Sequence, residues 1–184
     1  MRKVEADDAL AAPSDGIDRR ALGDALGTTD VALNRYVVPA GERVSGLHAH
    51  ADQEEVFVVL DGTMTFERLD GTVSVGKRHA ARFAPGEFQS AKNDSTDRAV
   101  VLAIGAPPGT DDVRVPVGCS ACEHGEMQLS FSDGGESLVC PVCGAETEPE
   151  CPECGGGELR AILGEDREGP VNVCVDCDAR WPAR

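Results

Sequence analysis

"GLHAHADQEEVFVVLDG", Gly46–Gly62, is the stretch on which the reading of this chain turns. Two histidines stand one residue apart, two glutamates follow, and an apolar run closes on Asp-Gly. In an extended strand residues i and i+2 share a face, so His48 and His50 project together and Ala49 turns away. Glu55 opens the next strand on the side of Phe57 and Val59. A hairpin-like return brings its carboxylate back toward the imidazoles. Two histidines and one carboxylate are the ligand set that holds Fe(II) with coordination positions left open.

Outward from this stretch, the segments "VALNRYVV", "TMTFERL", "TVSVG", "ARFA" and "RAVVLAIGA" are short runs rich in Val, Phe and Thr. Gly, Pro, Asp and Asn turns separate them, which points to an all-β sandwich or barrel. Asp61-Gly62 and Asp70-Gly71 are expected hairpin turns. No long helical pattern interrupts residues 31–106, so a parallel α/β sheet is not expected. Before them, residues 1–30 read as a loose start and a short helix, with Ser14 or Asp15 as N-cap and Gly27 as stop. "GAPPGTDDVRVP", Gly105–Pro116, is Pro-, Gly- and Asp-rich and reads as a boundary.

The order Gly41, His48-Ala-His50, Glu55, Gly62 resembles the first motif of the cupins, small jelly-roll barrels of two antiparallel sheets. "FAPGEFQSAKN", Phe83–Asn93, resembles their second motif, with Pro85-Gly86 and the closing Asn93 in place. The resemblance covers about residues 31–106 and implies a metal held by His48, His50 and Glu55, with Glu54 pointing outward. The family's fourth ligand is a histidine three residues after the glycine; this chain has Gln89. A glutamine ligates only through its neutral carbonyl oxygen, so Gln89 either completes a weaker site suited to Fe(II), Mn or Ni, or orients a bound water or substrate. The resemblance also implies dioxygenase, isomerase or lyase chemistry, and a homodimer. His79 falls outside the motif register. Phe57, Met64, Phe66, Phe83 and Phe88 are candidate apolar walls of a pocket, or plain core.

All eight cysteines follow the boundary, as four Cys-x-x-Cys pairs: Cys119/Cys122, Cys140/Cys143, Cys151/Cys154 and Cys174/Cys177. The gaps from Cys122 to Cys140 and from Cys154 to Cys174 fall in the spacing of four-cysteine zinc ribbons. Sequential pairing gives two structural Zn sites. Interleaved pairing, iron in place of zinc, and redox pairs are the other readings. A region of this size with one tryptophan, Trp181, builds little core, so metal supplies folding energy. His124 reads as an exposed residue beside a complete four-cysteine site. Arg180 and Trp181 offer a small exposed anchor, or close the module's own core.

Charge bounds the partners. The chain of 184 residues has 17 Lys plus Arg against 33 Asp plus Glu, net −16, and its lysines are Lys3, Lys77 and Lys92. Neither half offers the basic footprint that phosphate backbones require, so nucleic acid is not expected. An acidic, lysine-poor surface fits a salt-loving, haloarchaeal-type microbe, since high salt screens self-repulsion while carboxylates keep the surface hydrated. No apolar stretch approaches the ~20 residues that span a bilayer, and "MRKVEADDAL" has no apolar signal segment. A cytoplasmic protein is therefore expected, with its cysteines in metal chemistry rather than disulfides.

The expected fold is mainly β: a cupin jelly-roll barrel over 31–108 after the segment 1–30, a linker over 109–118, and a double zinc ribbon over 119–184. The expected function is metal-dependent chemistry on a small polar molecule, with ribbons for protein contact. The alternatives are a small-molecule or metal sensor and a plain interaction protein.

Overall fold

In the computed structural model, residues 1–12, 16–132, 135–164 and 169–183 are described. The first half contributes β1 (Ala11–Ala12), β2 (Asp18–Ala21), the helix α1 (Leu22–Leu26), β3 (Ala32–Val38), β4 (Ala49–His50) and β5 (Glu54–Asp61). There follow β6 (Thr63–Arg68), β7 (Gly71–Gly76), β8 (Ala80–Phe83), β9 (Ser90–Lys92) and β10 (Ala99–Ala106). Two sheets, ordered β1-β2-β3-β10-β5-β8 and β7-β6-β9, form the barrel walls. Period-2 alternation turns Phe57, Val59, Met64, Phe66, Phe83, Val101 and Ala103 into one buried cluster. The rings of Phe57, Phe66 and Phe83 meet at centroid distances of 5.1, 5.6 and 6.0 Å.

Two expectations change. Ser14 and Asp15, the expected N-caps, lie outside the described residues. The helix starts only at Leu22 and closes at Gly27, whose φ of 71° is left-handed, while Asp18–Ala21 is a strand paired to β3 with Arg19 opposite Tyr36. Long-range pairing there overrides a local pattern compatible with helix. Asp61-Gly62 is a turn but not a hairpin: β5 and β6 lie in different sheets. Gly62 takes φ 74° where a Cβ would sit 2.7 Å from the Arg98 carbonyl oxygen. The Asp70-Gly71 turn does join a hairpin, β6 to β7, with Arg68 opposite Gly71.

The second half adds β11 (Val113–Val115), β12 (Met127–Ser132), β13 (Gly135–Val139), β14 (Glu146–Thr147), β15 (Leu159–Leu163), β16 (Pro170–Cys174) and β17 (Arg180–Pro182). The stretch expected as a linker thus holds a strand. β11 pairs β12 on one side and β4 on the other, so the sheet β14-β13-β12-β11-β4 runs from the first cysteine module onto the histidine strand. The second module, β15-β16-β17, also touches this strand's approach: the Leu47 N–H donates to the Ala161 carbonyl. Beneath it the half-buried Arg43 guanidinium grips Glu67 at 2.9 and 3.2 Å and donates to Ser90. No helix of the described residues is long and apolar enough to cross a membrane.

Candidate metal centre

Backbone bonds on both edges fix the histidine strand. On the barrel side His48 and Gln89 exchange N–H to carbonyl bonds of 3.0 and 2.8 Å, and the Gly86 N–H donates to the His50 carbonyl. Gly86 adopts φ 82°, the left-handed turn that glycine enters without strain. The closing Asn93 is fully buried and saturated: its amide donates to the Val38 and Asp97 carbonyls and its oxygen accepts from Ser95. It is a staple of the fold.

The structure brings His48, His50 and Glu55 together, one donor atom from each lying within 4.8 Å of the others. The two Nε2 atoms are 3.2 Å apart, and His50 Nε2 is 3.4 Å from Glu55 Oε2. His48 Nδ1 is 2.9 Å from the Gly46 carbonyl. A carbonyl only accepts, so Nδ1 carries the proton and Nε2 turns its lone pair inward. Such acceptor atoms repel unless a proton or cation sits among them. Gln89, also buried, donates to Glu55 Oε2 at 2.8 Å and lies 3.3 Å from His48 Nε2, while its Oε1 has no partner. A half-turn of the amide offers that oxygen to the same point. The donor set therefore fits a divalent metal ion. Glu54 points outward, paired with Arg82.

Burial governs protonation. It pushes the Glu55 carboxyl up to about 7, against the hydrogen bond from Gln89. It holds His50 down to about 4, helped by His48 and opposed by Asp52. It lowers His48 as well, against the Gly46 hydrogen bond. The charge balance is that of neutral imidazoles beside a carboxyl poised near neutrality, which is ready to exchange its proton for a cation.

This cluster lies on one wall of a cavity of about 360 Å³. Of the five candidate wall residues only Phe57 lines it; Met64, Phe66 and Phe83 are core, and Phe88 is half-buried outside both. Polar residues not singled out from sequence face it: Arg19, Asn34, Tyr36 and Gln53. The alternation of Asn34, Tyr36 and Val38 along β3 was the available signal; Arg19 had none, because its strand partner is distant in sequence. His79 is exposed and away from the site.

The cysteines fall into two groups, Cys119/Cys122/Cys140/Cys143 and Cys151/Cys154/Cys174/Cys177. Sequential pairing is thus the arrangement in space. Sγ–Sγ distances of 3.6 and 3.7 Å match the ~3.8 Å edge of a tetrahedron with metal–sulfur bonds of about 2.3 Å. Every pair forms the same knuckle: Cys119, Cys140, Cys151 and Cys174 accept at their carbonyls from Glu123, Gly144, Gly155 and Asp178. Those four donors all have φ between 58° and 75°. His124 stays outside the cluster, 3.8 Å from Glu126. Trp181 is half-buried and lines a cleft between the two modules, whereas Arg180 is exposed.

A cupin-domain family model matches residues 34–105. No curated protein matches the chain. Among solved structures, a sugar phosphate isomerase from a cupin superfamily of Silicibacter pomeroyi is similar with TM-score 0.59 and 20% identity, over 79% of this chain and 96% of that one. The polyketide cyclase RemF from Streptomyces resistomycificus aligns with TM-score 0.53 and 21% identity, over 61% and 83%. KdgF from Halomonas sp. aligns with TM-score 0.51 and 15% identity, over 59% and 96%. At such identities the likeness concerns the fold. Residues 34–105 are accordingly a cupin domain, carried in a mainly β chain with two four-cysteine clusters beyond it.

Proposed function

We propose that the chain is a metal-dependent enzyme of the isomerase or lyase class acting on a small polar molecule in the barrel cavity. The observation that carries this is the convergence of His48, His50 and Glu55 on one wall of that cavity, with Gln89 buried beside them. Bound Fe(II), Mn(II) or Ni(II) supplies a Lewis acid with open positions. The three side chains hold it, and Gln89 either completes the set or orients what binds there. Burial raises Tyr36 above its ordinary value, with Arg19 opposing and Glu55 reinforcing, so this cavity-lining hydroxyl keeps its proton. Phe57, Ala91 and Ala103 make the dry part of the wall. The isomerase and cyclase named among similar folds agree with proton chemistry at such a site.

In the same proposal the two cysteine clusters hold structural zinc, and the ribbons serve protein contact or a homodimer in the cytoplasm of a salt-loving organism, without nucleic-acid or membrane partners. The test is metal content of the intact chain purified anaerobically in high salt. Two equivalents of zinc and close to one of iron, manganese or nickel are expected. His48→Ala/His50→Ala should lose the latter alone, together with turnover of small polyols and hydroxy acids. Full retention of that metal refutes the assignment.

A second reading is a sensor, and one observation favours it: β4 is shared between the barrel site and the first ribbon's sheet. It predicts that metal occupancy alters partner binding without turnover.

A further inference from the structure

The strand β2 lays its two arginines on opposite faces. Arg20 stands opposite Arg35 on the outer face, and both are neutralised there: Arg20 by Asp18, Arg35 by Asp7 and Asp18. Arg19 stands opposite Tyr36 on the inner face and lines the cavity. Its guanidinium carbon sits 5.9 Å over the Tyr36 ring, and its Nε donates to Asn34 Oδ1 at 3.3 Å. No carboxylate pairs with it among the described residues, although acidic side chains outnumber basic ones 33 to 17 in the chain. Its Nη groups are left for whatever enters. Among the described residues, the only carboxylate lining the same cavity is Glu55, which belongs to the metal-ligand cluster.

An unpaired arginine held by an aromatic face and an amide is a preorganised fork for an oxyanion. We propose that Arg19 is the anion-binding arm of the cavity, and that the ligand is a small acid. One end is a carboxylate or phosphate held by Arg19; the other presents an oxygen to the cluster of His48, His50 and Glu55. This rests on the reading of that cluster as a metal site, and adds the substrate class. The cavity, about 360 Å³, lies at the small end of ligand pockets and suits a molecule of a few carbons. Asn34 holds the fork in place and Tyr36 supports it from below, so both are positioning residues here.

The test is calorimetric binding of malonate and of glycerol 3-phosphate to the full, Mn(II)-loaded protein, with malonamide and glycerol as neutral counterparts. Arg19→Gln should weaken the anion that binds about ten- to hundredfold. It should leave the neutral counterparts and the Mn(II) electron paramagnetic resonance signal unchanged. Arg19→Lys keeps the charge without the fork and should fall between, which separates lost recognition from a damaged fold. Preference for malonate or for glycerol 3-phosphate identifies the carboxylate or the phosphate as the group held. Three results overturn the proposal: neither anion binds the wild type, Arg19→Gln binds as tightly, or the neutral counterparts weaken in parallel. If the wild type takes up no Mn(II), the metal reading fails, and the same anion comparison on the metal-free protein still decides the role of Arg19.

Discussion

The Leu47 N–H donates to the Ala161 carbonyl at 2.6 Å, one residue before His48. Gly46 has no room for a side chain at this contact: a Cβ there would lie 2.7 Å from the Arg160 side chain and 3.0 Å from the Ala161 oxygen. The second cysteine module therefore holds the approach to His48, while β11 of the first module's sheet holds His50.

On the proposed function, loss of metal from the cysteine clusters should consequently loosen the barrel site. Such supports act on ligands as outer-shell partners do, whose loss costs about 10–100-fold in metal affinity. Cys151→Ser/Cys154→Ser is expected to weaken Mn(II) binding by the barrel roughly tenfold, read by Mn(II) titration under electron paramagnetic resonance. Unchanged affinity would show that the barrel positions its ligands alone.

Metal uptake should depend on pH through Glu55. Its carboxyl sits at about 7 and must ionise to bind a cation. Above that value it is already a carboxylate; below it, a proton must leave first. His50, held at about 4, stays neutral throughout. Apparent affinity should fall about tenfold from pH 8 to pH 6 with proton release on binding. Glu55→Gln should bind weakly at both values and lose the slope.

The pair Arg43–Glu67 lies under the second ribbon, with side chains 13% and 7% exposed. Arg43→Ala leaves Glu67 buried without its partner and should cost about 3–5 kcal/mol. Arg43→Met/Glu67→Leu removes both charges and should come close to the wild type. Denaturant unfolding of the zinc-loaded chain separates the two.

Two knuckles close on non-glycine residues in left-handed backbone, Glu123 at φ 58° and Asp178 at φ 59°, where the other two use Gly144 and Gly155. A side chain in that conformation costs about 1–2 kcal/mol. Glu123→Gly should stabilise the first ribbon by about 1 kcal/mol, seen as higher resistance to zinc chelation. Gly144→Ala should act in the opposite direction.

What was legible in the sequence was what short spacings encode. The two histidines, Glu55 and the Cys-x-x-Cys pairs carry their geometry within a few residues, and the structure places them as groups. Departures arise where partners are remote. "VRV" at 113–115 is three residues inside a Pro/Gly/Asp-rich run, and nothing local announces that β4 and β12 flank it. Arg19 belongs to a stretch with helix-compatible composition, and only its pairing with Tyr36 turns it into the cavity. Asp61-Gly62 signals a reversal but not which sheet receives the chain. Gln89 stood out as a departure from the family pattern, and its buried, unpartnered oxygen gives that departure a physical content.

The histidine strand is thus a seam, and seams are sewn last. Its barrel-side edge finds Gln89 early in synthesis, but its outer edge waits for residues 113–115 and its approach for Ala161. A nascent barrel leaves this short edge bare until the cysteine modules have been made. Cutting the chain near residue 112 would reproduce that unfinished state permanently. On the proposed reading, the barrel site would reach its final form only after the cysteine modules had folded against it.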